Sequence, residues 1–219
     1  EKIVRKAHAQ GCRVVVDEAH GAHFPWMQDA QSAGALGVDA WVQSSHKTLP
    51  SLTGTAVLHL RYAEDRQRAM MLLRLTQTSS PNFVLMMSID DARAWMEAQG
   101  HERLLRVANA VDALRERLPA MGYRDAHAGW GETGMTFDRT RLVIDAPQGG
   151  DALDAALRAK GIDVEMRDLR RVVCILTAMD DAETVERLGK ALAEIPAEKA
   201  VIRSKMDEFM QKRREKQPL

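Results

Sequence analysis

Cysteine, aromatic residues and excess charge are all scarce in this sequence, and these scarcities exclude several classes of protein. It has two cysteines, Cys12 and Cys174, both inside apolar runs, which is typical of reduced core thiols and not of a disulfide framework. Lys plus Arg and Asp plus Glu both number 31, so no overall field attracts nucleic acid or an anionic membrane. No apolar run approaches the ~20 residues that a membrane-spanning helix needs. We therefore expect a cytoplasmic globular protein, for which the apolar content of 45% supplies a core.

The sequence begins with Glu1 and not with methionine. Residues 1–10 have the pattern of the end of an amphipathic helix, with Ile3, Val4 and Ala7 on one face. Because the pattern opens inside a helix, we expect this sequence to be a fragment or a truncated form of a longer protein.

Three apolar segments predict the strands of an α/β sheet. The run at residues 14–16 has no polar alternation, which predicts a strand buried on both faces, as in a parallel sheet. Residues 37–43 and 54–60 predict the next two strands. Ligands of open α/β sheets bind at the carboxyl ends of the strands, and Asp17 and Lys47 follow the first two strands. The sequence therefore predicts a site that contains both residues.

The rest of the chain predicts helices followed by a smaller domain. Helical periodicity in the middle of the chain is interrupted at residues 76–82, where Thr, Gln, Ser and Pro cluster, and Gly100 is expected to end the helix that follows. The predicted organisation is a partial large domain with bridging helices over residues 1–119, a small α+β domain over residues 120–196 and a charged helix over residues 197–219.

Short elements are predicted inside the small domain. Residues 141–144 and 172–177 have the composition of strands. Residues 151–160 and 181–195 have the apolar spacing of helices.

The segments after the first two predicted strands carry an acid and an amine. Asp17 opens the sequence Asp-Glu-Ala-His, and Lys47 lies in Ser-Ser-His-Lys-Thr. A pyridoxal phosphate (PLP) site requires this pair, because a lysine forms the Schiff base with the cofactor aldehyde while a carboxylate keeps the pyridine nitrogen protonated. Ser44 and His46 are suited to donate hydrogen bonds to a phosphate. We expect Lys47 to be partly desolvated, which would favour the free amine, and Asp17 to be largely buried once the part of the large domain ahead of this chain is supplied.

Two other interpretations of the Asp-Glu-Ala-His segment are weaker. In a helicase the acidic pair coordinates magnesium, but that site also needs an upstream Gly-x-x-x-x-Gly-Lys-Ser/Thr loop, which the sequence lacks. His20 and His23 could bind zinc together with Asp17 or Glu18, but no second His or Cys cluster completes the ligand set. A histidine beside a carboxylate is more often its hydrogen-bond partner.

Three motifs, in this order and at this spacing, resemble the Orn/Lys/Arg decarboxylase family of fold-type I PLP-dependent enzymes. They are Val-Asp-Glu-Ala-His-Gly-Ala-His-Phe at 16–24, Gln-Ser-Ser-His-Lys-Thr-Leu-Pro-Ser-Leu-Thr at 43–53 and Thr-Gln-Thr-Ser-Ser-Pro-Asn-Phe at 76–83. The resemblance extends over about residues 13–193. It implies an aspartate aminotransferase-like α/β fold, PLP as cofactor, decarboxylation of lysine, ornithine or arginine, and a homodimer or higher oligomer.

The resemblance also implies roles for individual residues. Lys47 resembles the Schiff-base lysine, Asp17 the partner of the pyridinium nitrogen, and His20 a group near the ring oxygen or the substrate carboxylate. These three residues are the implied catalytic residues. The other implied cofactor contacts are Ala19 on a ring face, Ser44 and His46 at the phosphate, and Thr78 and Ser79 in a loop that approaches the cofactor of a neighbouring subunit.

The chain departs from the family pattern in two ways. Ahead of the Asp-Glu-Ala-His strand, family members carry a loop that grips the phosphate and a ring that stacks on the pyridine, and this chain has neither. Gly54 is found where family members usually have glutamine. A polypeptide that carries the missing N-terminal half is therefore a candidate partner, and the sequence leaves open whether that half is encoded separately. Glu165 and Asp168 are candidates for a substrate entrance, and a solvated surface pair explains them equally well. The departures leave open another fold-type I activity, such as an aminotransferase, or a catalytically silent remnant with a binding or assembly role.

Overall fold

The computed structural model describes residues 1–130 and 136–197, and the predicted charged helix therefore lies outside the described residues, apart from its first position. The described chain forms two compact units. The first contains residues 1–107 and 177–180, and the second contains residues 108–130, 136–176 and 181–197.

A three-stranded sheet is the centre of the first unit. Its strands are β1 (Val15–Asp17), β2 (Ala40–Gln43) and β3 (Val57–Leu60), in the order β1-β2-β3. The predicted α/β class is confirmed, and β1 and β2 are parallel as expected. β3 runs antiparallel to β2, so the sheet is mixed.

The two faces of this sheet have different environments. On one side, which we call the covered face, Val14, Val16 and Trp41 pack on a buried cluster. The members of that cluster are Val4, Ala33 and Val38. On the other side, which we call the open face, Val15 is 74% exposed and Leu58 is 42% exposed. The prediction that the first strand is buried on both faces is therefore wrong, because helix packing within the described chain covers only one of them.

Helices make up the remainder of the first unit and lead into the second. They are α1 (Lys2–Ala9), α2 (Ser45–Thr48), α3 (Asp65–Thr76), α4 (Phe83–Trp95) and α5 (His101–Arg117). The break predicted between the two middle helices is confirmed. Gly100 does not end a helix, because a π-helical turn at Met96–Gly100 joins α4 to α5 without interruption. A Cβ at Gly100 would lie 2.7 Å from Met96 Cε, so the glycine makes room for a buried side chain.

The second unit contains a four-stranded antiparallel sheet and two helices. The strands are β4 (Arg124–Asp125), β5 (Arg141–Asp145), β6 (Met166–Arg167) and β7 (Arg171–Ile175), in the order β4-β5-β7-β6, and the helices are α6 (Gly150–Arg158) and α7 (Ala182–Glu194). The two predicted strands and the two predicted helices are confirmed. β4 and β6 are two residues long, too short to give a periodic signal.

The two cysteines have different environments, and neither forms a disulfide. Cys174 is buried in β7, where burial raises the pKa of its thiol to about 12. Cys12 is exposed, so the prediction of a second core thiol is wrong, because this residue lies in the turn after α1. Within the described ranges, no helix is long and apolar enough to span a membrane.

The core of the second unit gives a stability prediction. Leu142 is 0% exposed in β5, and we expect Leu142→Ala to lower the free energy of unfolding by about 2–5 kcal/mol, because it removes buried methyl groups and leaves a cavity. The control is Leu169→Ala, at a leucine that is 64% exposed and should change it by less than about 0.5 kcal/mol. Urea unfolding measures both variants, and equal losses would contradict this description of the core.

Candidate active site

Lys47 lies on a short helix whose other side is anchored in the protein. α2 follows β2 directly, and its residues Ser45 and Thr48 are 2% and 3% exposed. The next residue, Leu49, packs against the hydrophobic cluster that includes Met96. Because one side of α2 is buried in this way, Lys47 projects outward and is exposed. The expectation that Lys47 is desolvated is wrong for the described chain.

The turn after β1 brings His20 to Lys47. Gly21 N donates to Glu18 O at 2.9 Å and closes this turn. A Cβ at Gly21 would lie 2.4 Å from Glu18 Cγ, so the turn needs glycine at this position. Lys47 Nζ lies 3.2 Å from His20 Nε2. A lysine ammonium can only donate, so in this contact the imidazole nitrogen is the acceptor.

Asp17 ends β1 on the open face of the sheet. Its register partner on β2 is Val42, so the acid and the helix that carries Lys47 follow two adjacent parallel strands. Asp17 Oδ1 accepts a hydrogen bond from Ala19 N at 3.0 Å, which also fixes the backbone of Ala19. The burial expected for Asp17 once the missing half of the large domain is supplied stays a prediction, and in the described chain the side chain is exposed. The reason is the same open face that leaves Val15 exposed.

Ser44 and His46 flank the exposed lysine but have other hydrogen-bond partners. Ser44 N donates to Ala19 O at 3.3 Å, which ties the end of β2 to the turn after β1. His46 Nδ1 donates to Thr55 O at 2.8 Å. A neutral His46 ring therefore has Nε2 as an acceptor and can donate to a phosphate only when it is protonated. The phosphate contacts of both residues stay predictions.

Thr78 and Ser79 lie in the exposed connection between α3 and α4. Thr78 Oγ1 accepts a hydrogen bond from Ser80 N at 3.2 Å, which is a local turn contact. In the part of the chain that the structure describes, no hydrogen bond joins this segment to Lys47. Their role at a neighbouring subunit stays a prediction.

The candidate entrance residue Asp168 has a structural role in the second unit. Its Oδ1 accepts hydrogen bonds from Arg170 N and Arg171 N, each at 2.7 Å, in the turn between β6 and β7. These bonds favour a turn-stabilising function for this carboxylate. Glu165 precedes β6, and its charge counteracts the burial that lowers the pKa of Arg141.

A polar network beside the turn was missed from the sequence, where Glu18 was considered only as a metal ligand. Its carboxylate accepts hydrogen bonds from Ala33 N and Gln43 Nε2, both at 2.6 Å, and Gln43 Oε1 lies 3.0 Å from His59 Nε2. The sequence signal that could have indicated this network is Gln43, a polar residue at the end of an apolar strand. The next predicted strand contains a histidine, His59. Over residues 1–130 and 136–197, no group of three His, Cys, Asp or Glu side chains could hold a metal ion.

Comparison with known sequences gives matches along most of the chain. Residues 1–126 match the model of the Orn/Lys/Arg decarboxylase major domain. The chain is 29% identical over 204 residues to an arginine decarboxylase of Bacillus subtilis, a match that covers 89% of this chain and 42% of that protein. It is 30% identical over 211 residues to the uncharacterised protein YaaO of the same species, with 92% of this chain and 44% of that protein covered. The chain thus spans less than half of the length of these relatives.

Solved structures with similar folds include a lysine decarboxylase and proteins with other names. Lysine decarboxylase LdcF of Francisella novicida has a TM-score of 0.66 at 18% identity, over 81% of this chain and 31% of that one. A NifS-like protein of Rickettsia africae has a TM-score of 0.68 at 12% identity, over 88% and 56%. An SPT variant solved with PLP has a TM-score of 0.66 at 18% identity, over 88% and 49%. These likenesses support a fold-type I architecture, and the sequence match over more than half of the chain confirms that it belongs to the Orn/Lys/Arg decarboxylase family.

Proposed function

We propose that this chain forms part of a PLP-dependent decarboxylase that acts on a basic amino acid. The observation that supports this most directly is the contact between Lys47 Nζ and His20 Nε2 at 3.2 Å, beside Asp17 at the end of the adjacent parallel strand. The family membership supports the reaction class. Curated relatives named arginine decarboxylase make arginine the first substrate to test, followed by lysine and ornithine.

Lys47 and Asp17 fit two chemical requirements of PLP, an amine for its aldehyde and a carboxylate for its ring nitrogen. The cofactor aldehyde needs an accessible amine, and Lys47 is exposed and held by a helix with a buried side. The pyridine nitrogen needs a carboxylate, and Asp17 is an exposed carboxylate whose Oδ1 is oriented by Ala19 N. In the described ranges, Ala19 N is the one hydrogen-bond donor to Asp17, so the carboxylate has capacity for a cationic partner.

Each residue of the site has a definite task in the proposed reaction. Bound PLP would supply an aldehyde and a protonated ring that accepts the electron pair left when the carboxylate of the substrate departs as carbon dioxide. Asp17 would keep the proton on the ring nitrogen through its negative charge. Lys47 would hold the cofactor and, once released from it, carry a proton at Nζ. His20 Nε2 accepts a hydrogen bond from that amine and so orients it. The protonated amine can return a proton to the product directly, or His20 can do so after taking that proton from the amine.

The cofactor site is tested at Lys47. We expect the chain incubated with PLP and reduced with borohydride to carry the cofactor on the Lys47 peptide, as detected by mass spectrometry. Lys47→Ala should lose this label and lower decarboxylation at least about 100-fold, the lower end of what a positioned acid–base group contributes. Lys190→Ala, at an exposed lysine of α7, is the matched control and should keep both the label and the activity.

The reaction class is decided by the products from arginine, lysine and ornithine. Carbon dioxide and an amine support the proposal. A keto acid would instead indicate an aminotransferase, and a chain that takes up no PLP would indicate a binding or assembly role.

We further propose that the chain assembles, as a homodimer, a higher oligomer or a complex with a polypeptide that supplies the rest of the large domain. Exposed apolar side chains on α3 and α4 support this proposal: Met71, Leu75, Phe83 and Met87 are 55%, 76%, 69% and 64% exposed. Exposed large apolar residues that form a contiguous patch are typical of interaction surfaces. The predicted contact of Thr78 and Ser79 with a neighbouring subunit belongs to the same segment.

The assembly surface is tested with a charge. We expect Phe83→Asp to shift the chain towards the monomer in sedimentation velocity, because burying an unpaired carboxylate in an interface is costly. Met166→Asp is the control, at a residue of the second unit that is 60% exposed. If both variants sediment like the unchanged chain, α4 is not part of the assembly surface.

A further inference from the structure

We propose that Glu18, Gln43 and His59 form a positioning relay, which holds the turn that carries His20 so that its Nε2 stays in contact with Lys47 Nζ. These residues do not touch the reacting atoms. They act through His20, and the purpose that we assign to them rests on the proposed function. The hydrogen-bond geometry of the relay is independent of that function.

The hydrogen bonds of the relay fix the orientation of its central amide. Gln43 Nε2 donates to Glu18 Oε2 at 2.6 Å and approaches Gly21 O at 3.4 Å, and both of these oxygens can only accept. The amide oxygen must therefore face His59, whose Nε2 donates to it at 3.0 Å. Glu18 Oε1 is held in turn by Ala33 N at 2.6 Å. Every donor in this series meets an acceptor.

The sheet holds the ring at the start of the relay. Trp41 and His59 are register partners on β2 and β3, and their rings stack with centroids 4.6 Å apart and planes 4° from parallel. A Cβ at Gly34 would lie 2.5 Å from Trp41 Cζ2, so the backbone at Gly34 packs directly on the indole. Gln43 lies two residues after Trp41 on the same face of β2, which brings its amide within reach of the stacked imidazole.

The other end of the relay reaches the turn with His20. Glu18 begins this turn and Gly21 closes it, and the amide of Gln43 contacts both residues. Ser44, the residue between β2 and α2, donates from its backbone N to Ala19 O at 3.3 Å. The end of β2 therefore holds the backbone on both sides of His20 and also carries the helix of Lys47. This common anchor is what fixes the distance between the imidazole and the amine.

The charge distribution agrees with this arrangement. Burial lowers the pKa of His59, so its ring is neutral at pH 7, and the charge of Glu18 counteracts part of that effect. A neutral His59 with a proton on Nε2 is the form that donates to Gln43. The relay thus carries one negative charge, on Glu18, and this charge is balanced by two short hydrogen bonds.

The proposal is tested by NMR on the chain without cofactor, so that its outcome does not depend on decarboxylation or on PLP binding. The signal of His20 Cε1–H is assigned from its loss in His20→Asn. Lys47→Met should shift this signal, because it removes the contacting amine. In a Gln43→Met background the turn has lost its amide anchor, and we expect Lys47→Met to shift the His20 signal there by less than half as much. A Gln67→Met background, at an exposed glutamine of α3, is the matched control and should give the full shift.

A second variant removes the donor but keeps the stack. His59→Phe retains an aromatic ring against Trp41, so it preserves the packing. If Gln43→Met loses its far-UV circular dichroism and is therefore unfolded, His59→Phe is the variant that tests the relay. We expect His59→Phe also to reduce the shift caused by Lys47→Met. A full shift in both backgrounds would overturn the relay, while the Lys47 labelling experiment would remain a separate test of the proposed function.

The coupling between the ends of the relay is measured by the titration of His59. Because the charge of Glu18 raises the pKa of His59, Glu18→Gln should move the midpoint of the His59 ring signals to lower pH. The unfolded chain has the ordinary histidine pKa and takes up the proton first, so the folded state also loses stability as the pH falls through this range. An unchanged or raised midpoint in Glu18→Gln would contradict the coupling.

Discussion

The parallel pairing of β1 with β2 is the constraint on which the arrangement of the candidate site depends. It places the ends of two strands side by side. The first strand ends at Asp17 and is followed by the turn with His20, and the second is followed by the helix with Lys47. Side-chain chemistry alone does not bring these groups together. The backbone ladder does so, and two hydrogen bonds from the end of β2 extend its register into the turn.

The fold and the placement of Asp17 and Lys47 after adjacent parallel strands were largely accessible from the sequence, because both follow from local patterns. Apolar runs and helical spacing predicted the elements, and the position of Asp17 and Lys47 after consecutive strands predicted a common edge of the sheet. Gly100 shows the limit of such patterns, since a glycine can end a helix or make room for a neighbour, and the choice depends on Met96, a nearby side chain of the same helical run.

Burial was predicted less well than topology, for a physical reason. A continuous apolar run predicts that a strand has neighbours on both faces, but it does not say which polypeptide provides them. Val15 and Asp17 lie on a face that the described chain leaves open, while Val14 and Val16 are covered by the cluster around Val4. The relay was missed because its members lie on three different segments, and only the antiparallel register of β2 and β3 brings His59 to Gln43.

Two adjacent carboxylates point to opposite sides of the same strand end. Asp17 faces solvent on the open side, and Glu18 is enclosed by Ala33 and Gln43 on the covered side. Side chains alternate along a strand, so removing a single residue between α1 and β1 would move Glu18 to the position of Asp17, and adding one would move Asp17 to the position of Glu18. In the first case the longer side chain would lie where a coenzyme nitrogen is expected, and in the second case the shorter side chain would not reach the amide of Gln43. The length of that connection is therefore as restricted as the identity of either acid.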